Sequence, residues 1–115
     1  MLLLLEKQNV FITRSDTAYL QFIPEDQKTK QEYKFQDGDS VIFRIQLDKD
    51  NFEKECFVDL ATNECTLKLT PDETANLDFR TYYYEVELIT ADEDHYTFIT
   101  GRLTIGREIE NHESG

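Results

Sequence analysis

Two cysteines and two histidines are the residues of this chain best suited to nucleophilic catalysis by a thiol–imidazole pair. A cysteine nucleophile needs a base close to it. No local motif joins Cys56 or Cys65 to His95, and His112 lies in a C-terminal stretch that we expect to be frayed. Because a free cysteine is usually a small buried hydrophobe, we predict core thiols, and we predict no enzyme and no catalytic or cofactor-binding residue.

Acidic residues at two predicted turns, residues 37–39 and 92–95, could offer the hard oxygen ligands that Ca²⁺ prefers. Neither segment matches the EF-hand loop, and Asp and Gly are common in turns for conformational reasons. The chain also lacks GxGxxG, P-loop, CxxC and HExxH motifs. We therefore predict turns and assign no metal ligand, and the sequence leaves open whether divalent cations bind there.

The two cysteines flank a turn predicted at residues 61–64. A symmetric hairpin around this turn pairs Val58 with Leu67 and Cys56 with Leu69. That register places the two thiols too far apart for a disulfide. We predict that both are reduced, as in a reducing compartment.

The chain is acidic, with 24 Asp and Glu against 12 Lys and Arg, a net charge of −12. Residues 1–50 carry 9 acids and 7 bases, net −2, and residues 51–115 carry 15 acids and 5 bases, net −10. Nucleic acids and anionic membranes both require basic contacts, so we expect neither as a partner. A basic protein partner remains compatible with this charge.

Four leucines open the chain at residues 2–5, and Glu6 ends the run. A signal peptide needs a basic start and a longer apolar core, and a membrane helix needs about 20 apolar residues. We predict a buried first strand here, in a protein made in the cytoplasm.

Alternation of apolar and polar residues dominates much of the rest of the chain and is typical of half-buried antiparallel strands, although Ile42 breaks it. It is clearest at residues 40–47, 65–70 and 82–88. The remaining predicted strands cover residues 2–5, 10–13, 17–23, 55–60, 96–100 and 102–105. Residues 24–32 are polar without periodicity and predict an exposed loop.

Three consecutive tyrosines fall in one of these strands. Alternation sends Tyr82 and Tyr84 to the face of Val86 and Leu88, which we expect to be the core, and sends Tyr83 to the other face. Only Tyr83 is therefore predicted to be exposed.

One helical turn is predicted near residues 71–76. Thr70 can cap it, Pro71 suits its first position, and Glu73 can complete a capping box. We predict an all-β chain with one domain at residues 1–110 and a flexible tail at residues 111–115. Its fold is an antiparallel Ig-like sandwich or a small barrel.

An ordering of motifs resembles a small β-sandwich domain encoded by tailed bacteriophages and prophages, mainly of Gram-positive hosts. Ser15 precedes Asp16 and Thr17, at a position where Gly is more usual. The other matching positions are the helical turn at residues 69–75, the tyrosine strand at residues 82–88, and Thr97, Gly101, Leu103 and Ile105.

The resemblance implies a structural protein of the virion tail, baseplate or neck that works by assembly and has no catalytic residues. Its partners would be other virion proteins or copies of itself. Self-association could build a homo-oligomer such as a ring. We expect contacts through residues 2–10, 24–32 and 91–95.

Two alternatives remain open from the sequence. An acidic inhibitor could mimic nucleic acid and occupy a basic groove by charge complementarity. A host-surface or carbohydrate-binding module could use Tyr83 and the loops, but it needs a concave aromatic platform that the sequence does not locate.

Overall fold

The structure, a computed structural model that describes residues 2–107, has two β-sheets packed against each other. The larger sheet has the strand order β1-β9-β8-β4-β5, with β2 also on β9, and the smaller has the order β3-β7-β6. The strands are β1 Glu6–Lys7, β2 Val10–Thr13, β3 Ala18–Gln21, β4 Ser40–Gln46, β5 Asn51–Glu55, β6 Phe57–Asp59, β7 Glu64–Leu69, β8 Thr81–Ile89 and β9 His95–Gly106, and the helix is α1 Pro71–Ala75. This arrangement confirms an all-β fold. Of the two predicted alternatives, a sandwich and a small barrel, the two packed sheets form a sandwich.

The core lies between the sheets and is built from the alternating residues of the central strands. Val41, Phe43 and Ile45 on β4 are fully buried. On β8, Tyr82 and Tyr84 are buried while Tyr83 is 54% exposed. The predicted division of the tyrosine run is confirmed, because successive side chains of a strand point to opposite faces.

Helix α1 begins with the predicted capping box. The Thr70 side chain accepts a bond from the Glu73 N–H at 3.2 Å, and the Glu73 carboxylate accepts one from the Thr70 N–H at 2.8 Å. At the other end, Arg14 donates to the carbonyls of Ala75 and Leu77 at 2.7 and 3.0 Å. These bonds satisfy polar groups that a short helix leaves unpaired at its termini.

The N-terminal strands depart from the prediction of a wholly antiparallel sandwich. β1 and β2 both pair parallel to β9, with Glu6 opposite Ile99 and Val10 opposite Leu103. The predicted buried strand at residues 2–5 is also wrong, because this segment makes a single bridge, Leu3 with Asp26, and the first and last of its leucines are 59% exposed. It lies at a sheet edge, where a run of apolar residues leaves some side chains uncovered.

The segment between β1 and β2 is fastened to β9 at Gly101. The Tyr84 hydroxyl donates to the carbonyl of Gln8 at 2.9 Å, and the Arg102 N–H donates to the Asn9 side chain at 3.1 Å. A side chain at position 101 would overlap the Gln8 carbonyl oxygen. Glycine is needed here because backbone takes the space of a Cβ.

The predicted strands at residues 55–60 and 96–105 are divided differently in the structure. The predicted strand at residues 55–60 is divided at Cys56, where the chain leaves the larger sheet and enters the smaller one. The predicted strands at residues 96–100 and 102–105 are one strand, β9, with a register shift opposite Val86 and Glu87.

The cysteine hairpin turns one residue earlier than predicted, so Val58 lies opposite Cys65 instead of Leu67. Both thiols are free and buried. Interaction with the Cys65 thiol, together with burial, raises the pKa of the Cys56 thiol.

Part of the predicted domain, residues 108–110, lies outside the described residues, as do the predicted tail at residues 111–115 and His112. Across residues 2–107, no helix is both long and apolar enough to cross a membrane.

Candidate interaction surfaces

Three segments predicted to make contacts converge at one end of the sandwich. Because β1 runs parallel to β9 with Glu6 opposite Ile99, residues 2–5 lie toward His95, where β9 begins. The turn at residues 91–94 immediately precedes this point. We call the surface formed by residues 2–5, 24–39 and 91–95 the acidic end.

Residues 24–33 at the acidic end form an ordered hairpin that holds the N-terminal leucines. Leu4 donates its N–H to the Glu25 carbonyl at 2.8 Å, and Gln27 donates to the Leu2 carbonyl at 2.9 Å. Asp26 accepts bonds from the N–H groups of the two residues at the hairpin tip, Thr29 and Lys28. These bonds lower the pKa of Asp26 and fix the turn.

Tyr33 connects this hairpin to the turn before β4. Its hydroxyl donates to the Asp39 carboxylate at 2.8 Å, and the same oxygen accepts the Gln36 N–H at 2.8 Å. Burial, with this hydrogen bond, raises the pKa of Tyr33. Gly38 has a φ of 91° and packs against Ala91, which joins the turn before β4 to the turn before β9.

The acidic end combines apolar and charged surface. Leu2 and Leu5 are both 59% exposed. Around them, residues 24–39 and 91–95 contribute eight carboxylates and three lysines. An apolar centre surrounded by a polar rim is the usual arrangement of a protein–protein interface.

A second feature lies on the outer face of the larger sheet, where a shallow concavity of about 240 Å³ is lined by side chains of β4, β5 and β8. Gln46 pairs with Asn51, and the next strand places Tyr83 beside Gln46. Arg44, Glu85 and the core residue Tyr84 complete the lining. Tyr83 therefore adjoins two amide side chains and an ion pair on this face.

Arg44 is surrounded by carboxylates on this face. Its guanidinium contacts Glu53, Glu85 at 2.6 Å and Glu87 at 3.5 Å. The hydrogen bond to Glu53 is the main cause that raises the pKa of Arg44, against a lowering effect of burial. Each carboxylate is thereby paired with the same cation.

The residues considered for catalysis are not brought together. His95 lies on the surface, with its Nδ1 3.1 Å from the Glu87 carboxylate, whereas Cys56 and Cys65 are buried in the core. Within residues 2–107, no group of three or more His, Cys, Asp or Glu side chains is arranged to hold a metal ion.

Sequence reasoning missed the concavity and the pairing of the N-terminal leucines with residues 24–27. A hairpin register through the turn at residues 48–50 would have placed Gln46 opposite Asn51. The Asp26–Thr29 turn carried a local signal, since Asp commonly caps the N–H groups that follow it.

No protein-family model and no curated protein matches this chain.

Proposed function

We propose that this chain is a non-enzymatic structural or assembly protein of a phage or prophage particle, with an Ig-like sandwich that acts through protein–protein contacts. One observation carries the proposal: three separate segments meet at the acidic end, where two leucines stand exposed among carboxylates. The resemblance to virion sandwich domains agrees with such a role. The partner is a neighbouring particle protein or another copy of the chain.

The mechanism follows from the composition of the acidic end. Leu2 and Leu5 would insert into apolar depressions of the partner, and because each is 59% exposed, burying the remainder is worth about 1–2 kcal/mol per side chain. The surrounding carboxylates would favour basic residues at the rim and speed the encounter. The hairpin at residues 24–33 supports this contact because backbone bonds hold the leucines in place before binding.

The inhibitor alternative has less support from the geometry. A nucleic-acid mimic needs carboxylates free to meet the cations of a basic groove. Three glutamates of the large sheet's outer face, Glu53, Glu85 and Glu87, are instead paired with Arg44.

The test measures self-association and partner capture with the same variants. Light scattering after size exclusion gives the mass of the chain, and affinity capture from disrupted particles of the encoding phage identifies a partner. The double variant Leu2→Ser, Leu5→Ser is expected to abolish the oligomer or the capture. The matched control is Tyr19→Ser, Phe57→Ser, which removes two exposed aromatics from the smaller sheet. A monomer that captures no particle protein would contradict the proposal.

A further inference from the structure

We propose that the concavity beside Tyr83 binds an uncharged pyranose sugar. This site goes beyond the assembly role, because it lies away from the acidic end. β4 begins at Ser40, next to the acidic end, and finishes at Gln46, which lines the concavity. At about 3.3 Å per residue, the six steps between these residues span about 20 Å.

The wall of the site is an exposed aromatic ring. Tyr83 is 54% exposed, and the guanidinium of Arg102 lies 6.0 Å from its ring centroid. Arg102 and Tyr83 face each other across β8 and β9, so this contact steadies the ring. A pyranose presents a face of C–H groups that can pack against such a ring while its hydroxyls point to the sides.

The polar groups beside the ring match the hydroxyls of a sugar. Gln46 and Asn51 are exposed and directly opposite each other, and each amide offers both donors and an acceptor. Each sugar hydroxyl likewise donates and accepts. Two adjacent amides that line the same concavity as an aromatic ring can therefore bind neighbouring hydroxyls of one sugar.

The charges on this face favour a neutral ligand. Arg44 already contacts three carboxylates, two of which belong to Glu53 and Glu85. An anionic ligand would be repelled by these carboxylates, and a cationic ligand would compete with Arg44 for them. A polyhydroxylated neutral molecule avoids both penalties, and it can bond to the exposed edges of the Arg44–Glu85 pair.

The size of the site sets the expected strength. Its volume of about 240 Å³ is below the roughly 300–1,000 Å³ of clefts for drug-sized ligands, so it suits a single terminal sugar ring. A shallow site of this kind is expected to bind a monosaccharide with a Kd of about 1 mM.

The experiment titrates the ¹⁵N-labelled chain with the methyl glycosides of glucose, galactose, mannose and N-acetylglucosamine, and follows amide chemical shifts. At least one sugar is expected to shift the side-chain amides of Gln46 and Asn51 and the backbone amide of Tyr83. Tyr83→Ala should weaken binding by about tenfold, and Tyr83→Phe by no more than about twofold, since the phenyl ring keeps the apolar face. Tyr19→Ala, which removes a 65% exposed tyrosine from the other sheet, is the matched control and should bind like the parent chain.

The absence of shifts at these positions with every sugar up to about 20 mM, well above a Kd of about 1 mM, would overturn the proposal. Sugar binding that Tyr83→Ala leaves unchanged would also overturn it. A shift caused by arginine methyl ester and by none of the sugars would identify the concavity as a pocket for a partner's basic side chain, which is a different function. The Leu2→Ser, Leu5→Ser variant should keep sugar binding, so failure of the assembly role and failure of the sugar site are distinguishable.

Discussion

Gly101 offers the sharpest test of how the N-terminal segment is held, through the substitution Gly101→Ala. An alanine Cβ would overlap the carbonyl oxygen of Gln8, lie 2.7 Å from the carbonyl carbon of Gln8, and lie 3.2 Å from the ring of Tyr84. The obstructing atoms are backbone, so they cannot rotate away as the end of a side chain can. Relief requires the segment between β1 and β2 to move off β9.

The expected loss follows from the hydrogen bonds at this junction. Gln8 donates its N–H to the Thr100 carbonyl at 3.0 Å and accepts from the Tyr84 hydroxyl at 2.9 Å. The Arg102 N–H donates to Asn9 at 3.1 Å. With a net worth of about 1 kcal/mol each, the three bonds contribute about 3 kcal/mol. Replacing glycine by alanine also lowers the conformational entropy of the unfolded chain, which stabilises the folded state by about 0.4–1 kcal/mol. The net destabilisation should therefore be about 2–3 kcal/mol.

Gly106→Ala is the matched control on the same strand. A Cβ there would overlap the outer end of the Phe11 ring, and Phe11 is 61% exposed. The ring can turn toward solvent, so this variant should lose less than about 1 kcal/mol, partly offset by the same gain in the unfolded state.

Urea unfolding followed by far-ultraviolet circular dichroism measures both free energies of unfolding. A typical domain has about 5–15 kcal/mol of stability, so a loss of 2–3 kcal/mol from Gly101→Ala is readily resolved. Faster hydrogen exchange at the Gln8 amide should accompany it. Equal losses in the two glycine variants would refute the reasoning, because they would mean that the Gln8 backbone yields as easily as the Phe11 ring.

Two further predictions concern the helix cap and a strained turn. Partial burial acts to raise the pKa of Glu73, but hydrogen bonds from Lys54 and Thr70 lower it below its usual 4.5. The stabilisation by this carboxylate is therefore present above pH 4.5 and is lost as the pH falls through the lower folded-state value. Glu73→Gln should lose about 1 kcal/mol of unfolding free energy near pH 7, and urea unfolding at about pH 3 should show a smaller gap; a constant gap would contradict the pKa assignment. Ser15 has a φ of 71°, in the left-handed region that costs a residue with a Cβ about 1–2 kcal/mol. Ser15→Gly should raise Tm by about 2 °C after the entropy loss of glycine is subtracted, whereas a lower Tm would show that the serine is not strained.

Two predictions that rested on a single strand or a single turn succeeded, the division of the tyrosine run and the helix cap. The division of Tyr82, Tyr83 and Tyr84 follows from the two-residue period of a strand, which holds whatever the strand pairs with. The capping box at Thr70 and Glu73 joins residues three apart, so local chemistry was enough. Both were confirmed.

The candidate sites were predicted only in part. The sequence identified residues 2–10, 24–32, 91–95 and Tyr83 as candidates, but it did not show that the first three segments meet at one end. It also did not place Gln46 and Asn51 beside Tyr83. The residues of the concavity come from three strands, and those of the acidic end come from segments far apart in the chain. Their proximity depends on which strands pair, and the two-residue period of a strand does not specify its pairing partner.

By itself, the sequence determined that this chain forms β-strands, which faces of the strongest strands are buried, and where its helix begins. The tertiary structure alone decided that β1 and β2 run parallel to β9, that residues 2–5 expose two leucines, and that Val58 lies opposite Cys65. The physical reason is that alternation is the same for parallel, antiparallel and edge strands. Direction, register and exposure arise from contacts between segments far apart in the chain, such as the fit of the Gln8 backbone against Gly101.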